Sequence, residues 1–228
     1  MMKHSKRYTQ LKQNVDPKQL HSVQEAVNLA KETSNVKFDA TIELNVKMNL
    51  DTTKAEQQLR GTIALPYYFG KTVRALVLDD SLTKEVAEEN GIKLFGGTEQ
   101  ITKIKEGWLD FDLIITIPKF MPELSKLGKV LGPKGLMPNP KLGTVTTNVV
   151  NTFNEFKKGK YNYRTDTFGN IHMGIGKVSS ATEQVVANID EFLKFLASKR
   201  PSTVKGEFIQ KVYVSSSMGP SFKVELKK

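Results

Sequence analysis

The chain has 228 residues, 39% apolar and 25% charged, which is enough for one large or two small cored domains and is not the composition of a disordered or collagen-like protein. It has no cysteine, which excludes disulfides, thiolate nucleophiles and cysteine zinc sites, and no apolar stretch near the roughly 20 residues that span a bilayer. A net charge of +10 points to a polyanionic partner, nucleic acid or acidic membrane, and +8 of it lies in residues 1–69 and 160–228.

The N-terminus is basic, but no apolar segment follows it, so a secretory signal is not expected and a cytosolic protein is. The first helix signal is a capping box, Ser22 with Glu25, ahead of a stripe of Val23, Ala26, Val27 and Ala30. From Phe38 to Met48 apolar and polar residues alternate without a break, which predicts a strand with one wet face in an open antiparallel sheet. Val73–Leu78 and Phe111–Ile117 are instead nearly continuous apolar runs, as in strands covered on both faces. Helical stretches at Leu82–Asn90 and Glu99–Glu106 lie between them, each stopped by a glycine, so the middle reads as a small parallel sheet with flanking helices. A further helix is expected at Val149–Lys158, with Val149, Val150, Phe153 and Phe156 inward.

Beyond Gly159 the antiparallel style returns. Tyr161–Arg164 and Ile171–Met173 are expected to pair around Asp166-Thr-Phe-Gly169. Ser180 and Glu183 form a second capping box before a helix that buries Val185, Val186, Ile189, Phe192, Leu193 and Leu196. Phe208–Val214 and Phe222–Leu226 close the chain as strands around a Gly219-Pro220 turn. The fold class is α/β in two domains of different sheet type, with breaks near Pro66–Gly70 and Gly159.

No arrangement of catalytic residues stands out. His4, His21 and His172 are scattered, and none lies in a metal-binding helix motif. Gly174-Ile-Gly176-Lys177 fails as a Walker loop, because Ile171 and Val178 occupy the required glycine and hydroxyl positions, and Ser179 breaks a dinucleotide fingerprint. Asp110 and Asp112 flank Phe111 at a strand entry. No catalytic residue, metal or cofactor is expected.

Two stretches carry polyanion-binding chemistry. Residues 119–141 hold five lysines (Lys119, Lys126, Lys129, Lys134, Lys141) against Glu123, with Gly128, Gly132 and Gly135 and with Pro133, Pro138 and Pro140 shaping the loop, a set that brings N–H groups and ammonium groups to phosphates. Gly132-Pro-Lys-Gly135 also fits the clamp of KH domains, but Pro138 and Pro140 would break the helix that fold needs. Ser215-Ser-Ser-Met-Gly-Pro-Ser221 offers a row of hydroxyls beside a glycine, suited to ribose 2′-hydroxyls as well as to a plain turn. If its backbone meets ribose, Gly219→Val should cost binding and affect folding only mildly.

With these stretches goes a series of motifs in order: Lys3-His-x-Lys-Arg-Tyr8, Lys37-Phe-Asp-x-Thr41-x-Glu43, Arg60-Gly61, Gly107-Trp-x-Asp-Phe-Asp112, Gly132 to Lys141, Gly143-Thr-Val145, Ile171-His172 and Ser217-Met-Gly-Pro220. Together they resemble, nearly end to end, the L-one family of bacterial large-subunit ribosomal proteins. The resemblance implies a discontinuous α+β domain from residues 1–69 plus 160–228, with an open antiparallel sheet, and an inserted Rossmann-like parallel α/β domain at 70–159. It implies binding to the large-subunit rRNA stalk, contact with exit-site tRNA, repression of the chain's own messenger RNA, and a monomer within a cytoplasmic ribosome, with no membrane partner. The RNA-binding residues it implies are Lys37, Phe38, Thr41, Glu43, Ser217, Met218, Gly219 and Pro220, followed by Arg164, His172 and Lys177. Lys126, Lys129, Gly132, Lys134, Gly135 and Lys141 would form a secondary contact loop, and Lys54 and Arg60 would meet tRNA. Ser217 stands where many relatives have threonine and keeps the hydroxyl. Phe38 also lies on the apolar face of its predicted strand, and Glu43 suits RNA only as an acceptor that orients hydroxyls or a neighbouring lysine. The alternative is a free RNA- or DNA-binding regulator on the same scaffold.

Overall fold

The structure, a computed structural model, describes residues 5–13, 15–16, 18–70, 73–157 and 159–226. Lys3 and His4 of the first motif, and the Lys158 end of the predicted Val149–Lys158 helix, lie outside the described residues. Contacts group the chain into two compact units, Met1–Phe69 with Tyr163–Lys228, and Gly70–Asn162.

In the first unit, helix α1 (Lys6–Gln13) precedes the short strand β1 (Leu20–His21) and helix α2 (Val23–Glu32). The Ser22–Glu25 capping box forms in full, and Ala26, Val27 and Ala30 are buried. Strand β2 (Thr41–Met48) alternates half-buried and buried along its whole length, as its period-2 pattern requires. It begins at Thr41, so Phe38 falls in a bend before the strand and is 53% exposed; its place in the alternation does not put it in the core. Strand β3 (Arg60–Ala64) follows.

The second unit holds β4 (Ala75–Leu78), α3 (Lys84–Asn90), β5 (Leu94–Gly96), α4 (Thr98–Lys105), β6 (Leu113–Thr116), α5 (Met121–Lys126), α6 (Gly128–Leu131) and α7 (Val149–Lys157). Its sheet runs β5-β4-β6 and is parallel throughout. β4 is buried at every position because both faces are covered, by Ile101, Ile104 and Leu131 on one side and Ala87, Val149, Phe153 and Phe156 on the other. Asp110 and Asp112 clamp Arg74: Asp112 accepts from Nε and a terminal nitrogen at 3.1 and 3.0 Å, and Asp110 from the other nitrogen. That pairing raises the Arg74 pKa, through Asp112 first, and makes the carboxylates a structural pair.

The chain then returns to the first unit's sheets through β7 (Lys160–Arg164), β8 (Asn170–Lys177), α8 (Thr182–Ser198), β9 (Ile209–Ser216) and β10 (Ser221–Val224). Five strands form one sheet in the order β1-β10-β9-β2-β8, antiparallel except where β1 runs parallel to β10. Helices α2 and α8 pack on one face, with Val185, Ile189, Phe192 and Leu196 buried, and leave the other face open. The fold is therefore mixed α/β, with an open antiparallel-rich sheet and a separate parallel one.

Two local expectations fail. β7 pairs with β3 in a two-stranded sheet, and only a single bridge, Thr165 to Ile171, links it to β8. The Asp166–Asn170 turn keeps only that bridge, because beyond it the partners are already taken: the Thr165 N–H donates to the Leu59 carbonyl at 3.0 Å beside β3, and β8 pairs with β2. The second capping box also does not form. α8 starts at Thr182 behind Ala181, while Ser180 Oγ accepts the Lys177 N–H and its carbonyl accepts Lys31 Nζ.

Candidate nucleic-acid interface

The open face of the five-stranded sheet is built by strand registers that align polar positions. Thr41, Glu43, Asn45 and Lys47 of β2 face out, flanked by Lys177, Gly174 and His172 of β8 and by Ser215, Tyr213 and Lys211 of β9. His172 Nδ1 lies 2.6 Å from Asn45 Oδ1, and Asn45 Nδ2 donates to Ser215 Oγ at 3.3 Å, so a hydrogen-bonded row crosses three strands. Such a surface offers hydroxyl, amide and ammonium groups at once, the donors that RNA backbone and 2′-hydroxyls take.

At one end of this face the β9–β10 turn stands beside the start of β2. The Ser217 N–H donates to the Thr41 carbonyl at 2.9 Å, and the Thr41 N–H donates to Ser217 Oγ at 3.3 Å. The Ser217 hydroxyl is a donor 3.4 Å from Glu43 Oε1, and Lys177 Nζ donates to Thr41 Oγ1 at 2.8 Å. The Ser217 hydroxyl also lies 3.3 Å from the Thr41 carbonyl, so Glu43 and the Thr41 carbonyl share it as acceptors. Met218 projects into solvent, 68% exposed, in a left-handed conformation (φ 62), the one non-glycine with positive φ among the described residues. Its carbonyl accepts from Arg7 of α1 at 2.8 Å, while Arg7 also donates to Asn35 at 2.6 Å. Lys37 and Phe38 lie exposed on the segment entering β2.

Gly219 has a role inside the protein. A Cβ there would lie 2.3 Å from Ser216 Oγ and 3.2 Å from the Ser216 carbonyl oxygen, so a side chain at this position meets the protein itself as well as any ligand. Pro220 is buried below the turn.

Thr41, Glu43, Lys177, Ser217, Met218, Gly219 and Pro220 are therefore brought together, with His172 further along the same face. Arg164 is not on that face. It is exposed on β7 and lines a depression of about 470 Å³ with Thr52, Gln58, Thr165, Asp166 and Thr167. Arg60 is exposed on β3, and Lys54 is an exposed partner of Asp51 at 3.6 Å. In the second unit Lys126, Lys129, Lys134 and Lys141 are all exposed and make no ion pair with another described residue, whereas Lys119 is held by Asp80 at 2.5 Å. No helix follows Gly135, which turns the chain at φ 71 into an irregular run and a short 3₁₀ turn at Pro140–Leu142.

Asn45, Lys47, Lys211 and Tyr213 are not among the candidates named from the sequence, while Ser215 enters there only as part of the hydroxyl row and Arg7 only as part of the first motif. The alternation in β2 marked Asn45 and Lys47 as outward, and the same rule applied to β9 would have found Lys211 and Tyr213. Among the described residues no three His, Cys, Asp or Glu side chains gather as a metal site, and no helix is long and apolar enough to cross a membrane.

A profile of the Ribosomal protein L1p/L10e family matches residues 30–220. The chain is similar to proteins named large ribosomal subunit protein uL1: 56% identical over 94% of its length in Malacoplasma penetrans, 51% over 92% in Mycoplasmoides gallisepticum and 51% over 99% in Mycoplasma genitalium. It spans 64% of the first relative's length and 92% and 99% of the other two.

Proposed function

From its sequence, by which the chain belongs to the Ribosomal protein L1p/L10e family, we propose that it is a structural, non-enzymatic component of the cytoplasmic large ribosomal subunit that binds rRNA through the open sheet face. The observation that carries the reading is the union, at one corner of that face, of the turn at Ser217–Pro220 with Thr41, Glu43 and Lys177. The stalk of the large-subunit rRNA is the target, and residues 1–69 with 160–228 form the binding domain. Lys126, Lys129, Lys134 and Lys141, with Gly132 and Gly135, add phosphate contacts, and Lys54 and Arg60 serve a passing exit-site tRNA. Repression of the chain's own messenger follows if that RNA presents the same element.

Co-sedimentation tests the assembly: the chain should stay with large subunits through moderate-salt washes, where a free regulator would not. Crosslinking and sequencing of the bound RNA should return large-subunit rRNA first. Each neutralised phosphate adds about −0.7 to −0.9 to the slope of log affinity against log salt, and the hydroxyl-rich face should keep the total shallower than about −8.

A further inference from the structure

We propose that the Asp166–Asn170 turn is a single-nucleotide capture site, in which Phe168 stacks on an unpaired base of the bound RNA while Arg164 holds that nucleotide's phosphate; the inference rests on the rRNA-binding reading above.

Phe168 is 74% exposed, more than any other exposed large apolar residue described, and it stands on a turn with little freedom. Its N–H donates to Asp166 Oδ1 at 2.8 Å and its carbonyl accepts Lys47 Nζ from the open face. The neighbouring Thr167 carbonyl accepts from Thr52 at 2.5 Å, and the Gly169 carbonyl accepts the Met48 N–H at 3.0 Å. Gly169 itself is left-handed (φ 77), and a Cβ there would lie 3.1 Å from the Leu50 carbonyl oxygen. A mobile loop would let an apolar ring fold back; this turn holds the ring in water.

The surroundings suit a nucleotide. Arg164, Gln58, Thr52, Thr165 and Thr167 line a depression that reaches the turn at Asp166 and Thr167, the residues next before Phe168 in the chain. Asp166 is the carboxylate there, and both its oxygens are spent: Oδ1 on Phe168 and Asn170 N–H groups, Oδ2 on Asn170 Nδ2 at 2.8 Å with His172 at 3.4 Å. A cation, saturated acceptors and an aromatic face are the components with which proteins hold single-stranded bases. His172 and Lys47 connect the turn to the open face, so one RNA can cover both.

The test uses the full chain and protein-free large-subunit rRNA. Phe168→Ala should weaken filter binding roughly 5- to 150-fold, the loss of one base–aromatic stack, while Phe168→Tyr and Phe168→Trp stay within about twofold of the parent. Emission from Phe168→Trp, over that of Trp108 alone, should be quenched by the rRNA and not by a fully paired RNA duplex. Arg164→Gln should remove roughly 0.7 to 0.9 from the salt slope. If Phe168→Ala binds the rRNA as tightly as the parent chain, this contact is overturned and the rRNA reading stands. If the parent chain does not bind the rRNA, the reading falls and takes this site with it.

Discussion

Ser216 is a buried residue whose hydroxyl finds no partner, directly beneath Gly219. An unsatisfied buried hydroxyl costs stability, so Ser216→Ala should be neutral or stabilising by up to about 1 kcal/mol in urea unfolding. Gly219→Val, which drives a branched carbon into that hydroxyl, should destabilise by about 1–3 kcal/mol. Combining it with Ser216→Ala should recover part of the loss, since the two share one clash. Asp166 gives a second test. Desolvation works to raise its pKa, but hydrogen bonds from Asn170, Phe168 and His172 outweigh it and bring it from the ordinary 3.8 to about 2. A depressed folded-state value means stability that is present above about pH 4 and is lost as pH falls toward 2. Asp166→Asn should flatten the dependence of unfolding free energy on pH in that window and leave the slope at neutral pH alone.

At the scale of elements, Asn188 of α8 is the main polar tie within the first unit's core. It is 1% exposed, accepts the Tyr67 N–H at 3.0 Å, and donates to the Tyr67 and Ile175 carbonyls at 2.9 Å each. Asn188→Leu would orphan three backbone groups and should cost about 2–4 kcal/mol, read as a lower urea midpoint. The elements that were legible beforehand were those whose own burial is periodic. β2, α2 and α8 each turn one regular face to the core, and β4 and β6 turn two. What stayed hidden depends on partners. α1 buries no residue and carries no apolar stripe; β5 is three residues long; β1 exists only because β10 lies alongside it. The Ser180–Glu183 signature was present in sequence, but Lys177 and Lys31 took Ser180 first. At the interface, the motif residues around Thr41 and Ser217 were readable, while Phe38 misled because a strand's alternation continued past its first residue.

For the whole molecule, replacing residues 70–159 by a short Gly/Ser linker is the decisive experiment. The five-stranded sheet and both of its covering helices come from outside that segment, and keeping Lys160 preserves the whole of β7 beside β3. The shortened chain should fold, keep the open face, and lose about 1–2 kcal/mol of RNA affinity with the exposed lysines of the second unit. Loss of folding would mean that the two ends need the inserted segment to form their core. A folded product without RNA specificity would move the site to Gly132–Lys141.

β2, near the start of the chain, is flanked on one side by β8 and on the other by β9, and β1 finds its partner only in β10. Synthesis delivers these strands more than a hundred residues apart. While the ribosome is still translating the middle of the chain, Thr41 and Glu43 have been made but Ser217 has not, and β2 must wait with an unpaired edge. On the proposed site, a growing chain lacks Ser217–Pro220 and cannot complete the corner with Thr41 and Glu43 until β9 and β10 have been made. Released fragments ending before residue 209 should accordingly fail to select the rRNA over a mismatched control, with selection appearing once β9 and β10 have been added.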